Sequence, residues 1–297
     1  MHDLVIRGGV VHDGLGSLGA RADVAIHGGR VVAIGRDVGP GRREIDAEGR
    51  FVAPGFVDAH SHSDALPMMV EPQPFKLLQG VTTEIVGNCG FSIAPLDDAS
   101  AAYVSEAWGD LAPGVEIVAG SFGAFLDRLE AAGPTNNVAP LVGHGTLRMT
   151  ANGARRELSD GALERMCALA EESFEAGAVG LSTGLIYVPA TYPRTWGCFP
   201  EFFGRYVRER GIVGWEEAIR KATSAAALQF DLAHRGTLQP GSIADICVFD
   251  PETIAHPGSY AEPAATPVGI DHVMLAGSVV VENGGFIGVR DGRVLRA

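Results

Sequence analysis

The chain has 297 residues, 46% of them hydrophobic and 20% charged, which is enough to bury one large core or one core with a small satellite domain. A formal net charge of -13 excludes a phosphate-backbone partner, which needs a surplus of Lys and Arg on one face, and points instead to a small-molecule substrate. No apolar run reaches the roughly 20 residues that span a bilayer, Met1-His2-Asp3 opens no leader-like segment, and Cys89, Cys167, Cys198 and Cys247 are too unevenly spaced for a disulfide framework, so a cytoplasmic protein without membrane partners is expected.

From the N-terminus, short apolar bursts punctuated by glycine (Leu4-Val5-Ile6, residues 23–26 and 30–34) predict antiparallel strands joined by tight turns. The C-terminal stretch returns to that style at residues 245–249, 272–277 and 278–284. Between them the rhythm changes to apolar strands near 55–62, 82–88, 137–143 and 178–182, with helices at 121–132, 159–177, 200–210 and 215–230. That alternation is the pattern of a parallel sheet with crossover helices. Four such strands are too few to close an eight-stranded barrel, which takes about 250 residues.

The strongest chemical signal is Pro54-Gly55-Phe56-Val57-Asp58-Ala59-His60-Ser61-His62, a buried strand ending in two histidines one residue apart. Residues i and i+2 of a strand share a side, so His60 and His62 can offer two imidazoles to one ion. Two ordinary strand-end histidines are the alternative.

The N-terminal β-rich region, the segment 52–58 and the His-x-His pair together resemble the amidohydrolase superfamily, and residues 236–245 look like that family's return to its β-module. The stretch Gly80 to Gly90, ending Gly87-Asn88-Cys89-Gly90, resembles the N-acyl-D-amino-acid deacylase (D-aminoacylase) branch, which places a cysteine ligand after the second strand. The resemblance implies metal ligation by His60, His62 and Cys89, with zinc as the expected ion, since thiolate and imidazole suit zinc better than magnesium or calcium. Unmetallated, Cys89 would be an ordinary small buried residue. Many relatives bridge two metals with a carboxylated lysine on the fourth strand, but the only lysines here are Lys76 and Lys221, and residues 177–185 contain none. His144, in the family-like segment 137–148, is either a structural histidine or a group beside the substrate. Tyr187, in the strand-four loop 184–189, is implied by resemblance to lie near the substrate, with simple packing as the alternative.

After Tyr192-Pro193 the sequence passes directly into Arg194-Thr195-Trp196, a segment that follows the last barrel strand in relatives. Strands five to eight, which in the family bring two further histidines and a general-base aspartate, are therefore missing, and no catalytic residue is assigned. Asp64 is the carboxylate nearest the His pair and reads as a cap or a group behind the ligands rather than the base. The expected fold is α/β: an incomplete TIM-like (β/α) barrel at residues 54–234, plus a small β-sandwich module built from both chain ends, 1–53 and 235–297. The expected function is metal-dependent hydrolysis of N-acyl-D-amino acids. The alternatives are a non-catalytic, internally deleted remnant, which could pair as a homodimer to cover its open side, and a cyclic-amide hydrolase of the dihydroorotase or hydantoinase kind, which the missing lysine counts against.

Overall fold

The computed structural model describes residues 1–108, 112–153, 155, 157–184, 197–258 and 264–297. Its strands, in chain order, are β1 (His2–Val11), β2 (Ala20–His27), β3 (Arg30–Gly35), β4 (Gly41–Asp46), β5 (Phe51–Pro54), β6 (Phe56–Asp58), β7 (Val81–Val86), β8 (Asn137–Pro140), β9 (Val142–Gly143), β10 (Leu181–Ser182), β11 (Ile246–Phe249), β12 (Ile270–Leu275), β13 (Ser278–Glu282) and β14 (Gly285–Phe286). The helices are α1 (Asp98–Trp108), α2 (Phe122–Ala132), α3 (His144–Asn152), α4 (Ala162–Glu175), α5 (Cys198–Glu201) with a π-helical continuation Phe202–Glu209, α6 (Trp215–Ala222) and α7 (Ser224–Gln229). The fold is α/β with a mixed main sheet, and among the described residues no helix is long and apolar enough to cross a membrane.

The chain divides into two compact units, the first comprising Met1–Asp58, Pro74–Thr83 and Ala190–Asp291. Its sheet runs β14-β13-β12-β11-β5-β1-β2-β3, with β4 beside β1. The two ends of the chain meet where β5 pairs antiparallel with β11, Val52 opposite Val248, while β5 itself runs parallel to β1. Side chains then alternate between two cores, as the period of two in a strand requires. Val52, Ile246, Val248 and Met274 pack with Leu4, Ile6, Val24 and Ile26. Their neighbours Ala53, Cys247, Phe249 and Leu275 turn the other way, onto Phe56, Phe203 and Ile219. Phe249 lies 5.6 to 6.1 Å, centroid to centroid, from the rings of Phe51, Phe56, Phe203 and Trp215, and a buried side chain of that size contributes on the order of 1.5–3 kcal/mol. Gly55 is needed in the Pro-Gly-Phe turn because a Cβ there would stand 2.1 Å from Thr82 Cγ2.

The second unit comprises Ala59–Gln73, Glu84–Pro189 and Gly292–Ala297. The later part of β7 leads into it; β8 is β7's neighbour in a three-stranded sheet, and β9 and β10 run parallel, Val142 opposite Leu181. Helix α2 is capped by Ser121, which accepts from the Ala124 amide at 3.2 Å, and stops at Gly133 with φ +64°. Its face Phe122, Phe125, Leu126 and Leu129 packs with Val86, Val138, Val142, Leu147 and Ala178.

Several expectations need adjusting. Residues 292–297, and in the other sense 74–83 and 197–229, group differently from the division at 53/54 and 234/235, because Val294 bridges to Val138 while Phe203 and Ile219 cover the chain-end sheet. The strand expected at 55–62 ends at Asp58, so the histidines stand on the loop beyond it. The helix expected at 215–230 breaks at Thr223, whose φ of -130° and ψ of -91° leave the helical region. Strand β4 and helices α1 and α3 are additional to the expected elements.

Candidate metal centre

The centre is built in the second unit from two loops, one after β6 and one after β7. The first carries His60 and His62, both exposed, with rings 5.6 Å apart and inclined at 70°. The second is the turn Asn88-Cys89-Gly90-Phe91, closed by the Phe91 amide donating to the Asn88 carbonyl at 3.0 Å. Both central residues have positive φ, Cys89 +63° and Gly90 +79°, the pattern of a type I′ turn. Cysteine is uncommon in that conformation, and a residue held there against its preference is a signature of functional loops.

This turn places Cys89 Sγ 3.1 Å from His60 Nε2, and the donor atoms of His60, His62 and Cys89 all lie within 4.8 Å of one another. Among the described residues it is the only such group of three or more His, Cys, Asp or Glu side chains. Two imidazoles and one thiolate are a donor set that zinc accepts at about 2.0–2.3 Å, and three protein ligands leave a fourth position open.

The two loops are tied to each other. The Asn88 side-chain amide donates to the Ser61 carbonyl at 3.2 Å and to the Ile85 carbonyl at 2.8 Å, and the Ser61 amide donates to the Ile85 carbonyl at 3.0 Å. Beneath them lies Glu84, 2% exposed, whose Oε1 accepts from Ser61 and Ser63 hydroxyls at 2.7 and 2.8 Å and whose Oε2 accepts from Asn136 at 2.7 Å. The other side of the Cys89 turn rests on α3: Gly90's carbonyl accepts from the amides of Gly145 and Thr146, at 2.8 and 3.2 Å, and its amide donates to Ser182 Oγ at 2.9 Å.

His144 opens α3, half-buried, one residue before that contact. Tyr187 and the junction at 193–194 lie outside the described residues. Asp64 is buried. Burial pushes its carboxyl up to about 7, with the Glu84 charge adding to the rise and the main chain of Asp64 and Gly87 pulling the other way. Sequence reasoning passed over Glu84, Asn88 and Asn136. The signal was a lone acid in the otherwise uncharged run Val81 to Val86.

The amidohydrolase family model matches residues 43–190 and 185–281. The chain belongs to the amidohydrolase family. The two matched pieces overlap at residues 185–190. Across 194 residues it is 46% identical to an N-acyl-D-glutamate deacylase of Alcaligenes xylosoxydans xylosoxydans, a match that takes in 63% of this chain but 38% of the relative's length. A D-aminoacylase from the same organism is 25% identical over 474 positions, covering 99% of this chain and 97% of the relative. With 297 residues to set against those 474 positions, at least 177 of them have no counterpart here.

Among solved structures, a D-aminoacylase with a binuclear metal centre superposes with a TM-score of 0.93 at 25% identity, covering all of both chains. An N-acyl-D-glutamate deacylase from Bordetella bronchiseptica, complexed with zinc and a phosphonate that mimics the tetrahedral intermediate, gives 0.85 at 25% identity with the same coverage.

Proposed function

We propose that this chain is a zinc-binding amidohydrolase of the N-acyl-D-amino-acid deacylase type, acting on the acyl amide bond of small N-acyl-D-amino acids. The observation that carries the reading is the convergence of His60, His62 and Cys89 within 4.8 Å in a chain of this family. Zinc bound there would supply a Lewis acid to polarise the acyl carbonyl and to make a water molecule more acidic. The chain's own contribution is to hold two imidazoles and a cysteine sulfur in place, through the Asn88 bridge and the strained Cys89 turn, before any ion arrives. His144, at the start of α3 beside that turn, and Tyr187 are the side chains assigned to the substrate.

One observation favours a second reading, a remnant that binds zinc without turnover. At least 177 positions of the D-aminoacylase alignment are without counterpart, and among the described residues no further His, Cys or carboxylate joins the three ligands. In this reading, barrel strands five to eight have been lost at 193–194, leaving an incomplete TIM-like barrel beside a β-sandwich module built from the chain ends. Pairing into a homodimer is how such an open barrel would be covered, which sedimentation tests directly. Four free cysteines fit a cytoplasmic setting.

The deciding experiment is zinc content by elemental analysis alongside hydrolysis of N-acetyl-D-glutamate, with Cys89→Ala as control. Stoichiometric zinc with turnover, both lost in the variant, supports the enzyme. Zinc without turnover selects the remnant, and no zinc removes both readings.

A further inference from the structure

From His60 to Ser63 the chain alternates imidazole and hydroxyl, and the two kinds of side chain have different surroundings. The imidazoles are exposed and gather with Cys89, whereas Ser61 and Ser63 are each 4% exposed and place their hydroxyls on one oxygen of Glu84. The hydroxyls also touch each other at 2.8 Å, so the three oxygens form a closed triangle. The second Glu84 oxygen is held by Asn136, itself oriented by a Thr135 hydroxyl 3.2 Å from its Oδ1. Every member of this network is buried. A buried carboxylate is costly unless it is hydrogen-bonded, and once bonded it fixes the groups around it.

We infer that Glu84 is the positioning residue of the metal centre, its carboxylate clamping Ser61 and Ser63 so that the intervening His62 and the preceding His60 are set against Cys89. The inference deepens the zinc reading and rests on it. Loops outside regular strands have no ladder to fix the direction of successive side chains, and the His-x-His pair lies on such a loop, beyond the end of β6. Glu84 takes over that task from below while Asn88 ties the loop laterally to the Cys89 turn. Groups that orient metal ligands in this way typically change metal affinity by 10–100-fold when removed.

The test compares the wild type with Glu84→Gln and with the milder Ser63→Ala, which deletes one donor and keeps the carboxylate. Zinc affinity is measured by competition with a chromogenic chelator, the thiolate-to-metal band is recorded with cobalt(II), and the thermal midpoint is taken without metal. The expected result is a zinc Kd raised about 10–100-fold in Glu84→Gln and several-fold in Ser63→Ala, with a weakened cobalt band. A lowered midpoint with wild-type zinc affinity in the folded variants would show a purely structural carboxylate and overturn the inference while leaving the zinc reading intact. If Glu84→Gln does not fold, Ser63→Ala decides. A wild-type chain that takes up no zinc overturns both.

Discussion

Cys89 Sγ meets His60 Nε2 at 3.1 Å although 29 positions separate them in sequence, and it does so from a backbone with φ of +63°. A left-handed conformation costs an L-residue roughly 1–2 kcal/mol that glycine does not incur. Cys89→Gly should therefore lose zinc binding while leaving the metal-free protein as stable as the wild type or more stable by about 1 kcal/mol. Denaturant midpoints without metal, paired with zinc titrations, check this. A clear loss of metal-free stability would mean that the thiol's packing outweighs the backbone strain.

Gly87 has the opposite character. Its φ is +75°, and a Cβ would stand 2.1 Å from the Leu141 carbonyl oxygen, a main-chain atom that cannot swing aside. Gly87→Ala combines the conformational cost with that collision, so a loss of more than about 2 kcal/mol is expected. Zinc affinity should fall with it, because the displaced segment leads into Cys89. Thermal denaturation followed by zinc titration of the folded fraction separates the two effects.

The strands at both chain ends were legible because alternation and short apolar runs report burial directly, and β7 because Val, Thr and Ile favour a strand. His60 and His62 could be picked out as a pair whose spacing suits one ion, whereas Cys89 was reached only through the resemblance of residues 80–90 to the D-aminoacylase branch. The reason those three come together was not legible. It lies in contacts distant in sequence, such as Asn136 to Glu84, 52 positions apart, and in a turn conformation that Asn88-Cys89-Gly90 permits without announcing. Helix α3 was missed because His144-Gly145-Thr146 reads as a loop; the carbonyl of Gly90 accepting from its first turn is what secures it. The grouping of 197–229 with the chain-end sheet was equally hidden, since an amphipathic helix does not declare which sheet it will cover.

Two buried groups give pH dependences of opposite sign. His12 is 3% exposed, its ring centroid 4.4 Å from that of Phe51 with the planes inclined at 49°, and burial lowers its pKa below 6.5, against the smaller opposing charges of Glu216 and Asp13. Its folded state resists protonation, so the stability it carries is present above pH 6.5 and is lost as pH falls below that value. Asp64, raised to about 7, carries stability that is complete below pH 3.8 and lost as pH rises through 7. Relative to wild type, His12→Phe should gain stability on acidification below pH 6.5, and metal-free Asp64→Asn on alkalinisation between pH 4 and 7, each by at most about 1.4 kcal/mol per pH unit. Denaturant midpoints across pH 4 to 8 measure both, and parallel curves for variant and wild type would refute the assignment.

Asp245 closes the sequence motif that returns the chain to the terminal sheet, and its structural task explains its place there. One carboxylate oxygen pairs with Arg235, the two side chains being 4% and 7% exposed, and the other accepts from the Ala276 amide at 2.8 Å. The residue thus joins the segment after α7 to the turn between β12 and β13. Removing one member of a buried pair strands the other charge away from water, which costs about 3–5 kcal/mol. Asp245→Ala should accordingly destabilise the protein by that amount and Asp245→Asn by less, since the amide oxygen still accepts from Ala276 or Arg235. Replacing both partners, Asp245→Asn with Arg235→Met, should recover part of the loss because no unpaired charge remains. Equilibrium unfolding of the three variants forms a partial cycle; a double variant less stable than Asp245→Ala would show that the pair supports the fold through more than mutual neutralisation.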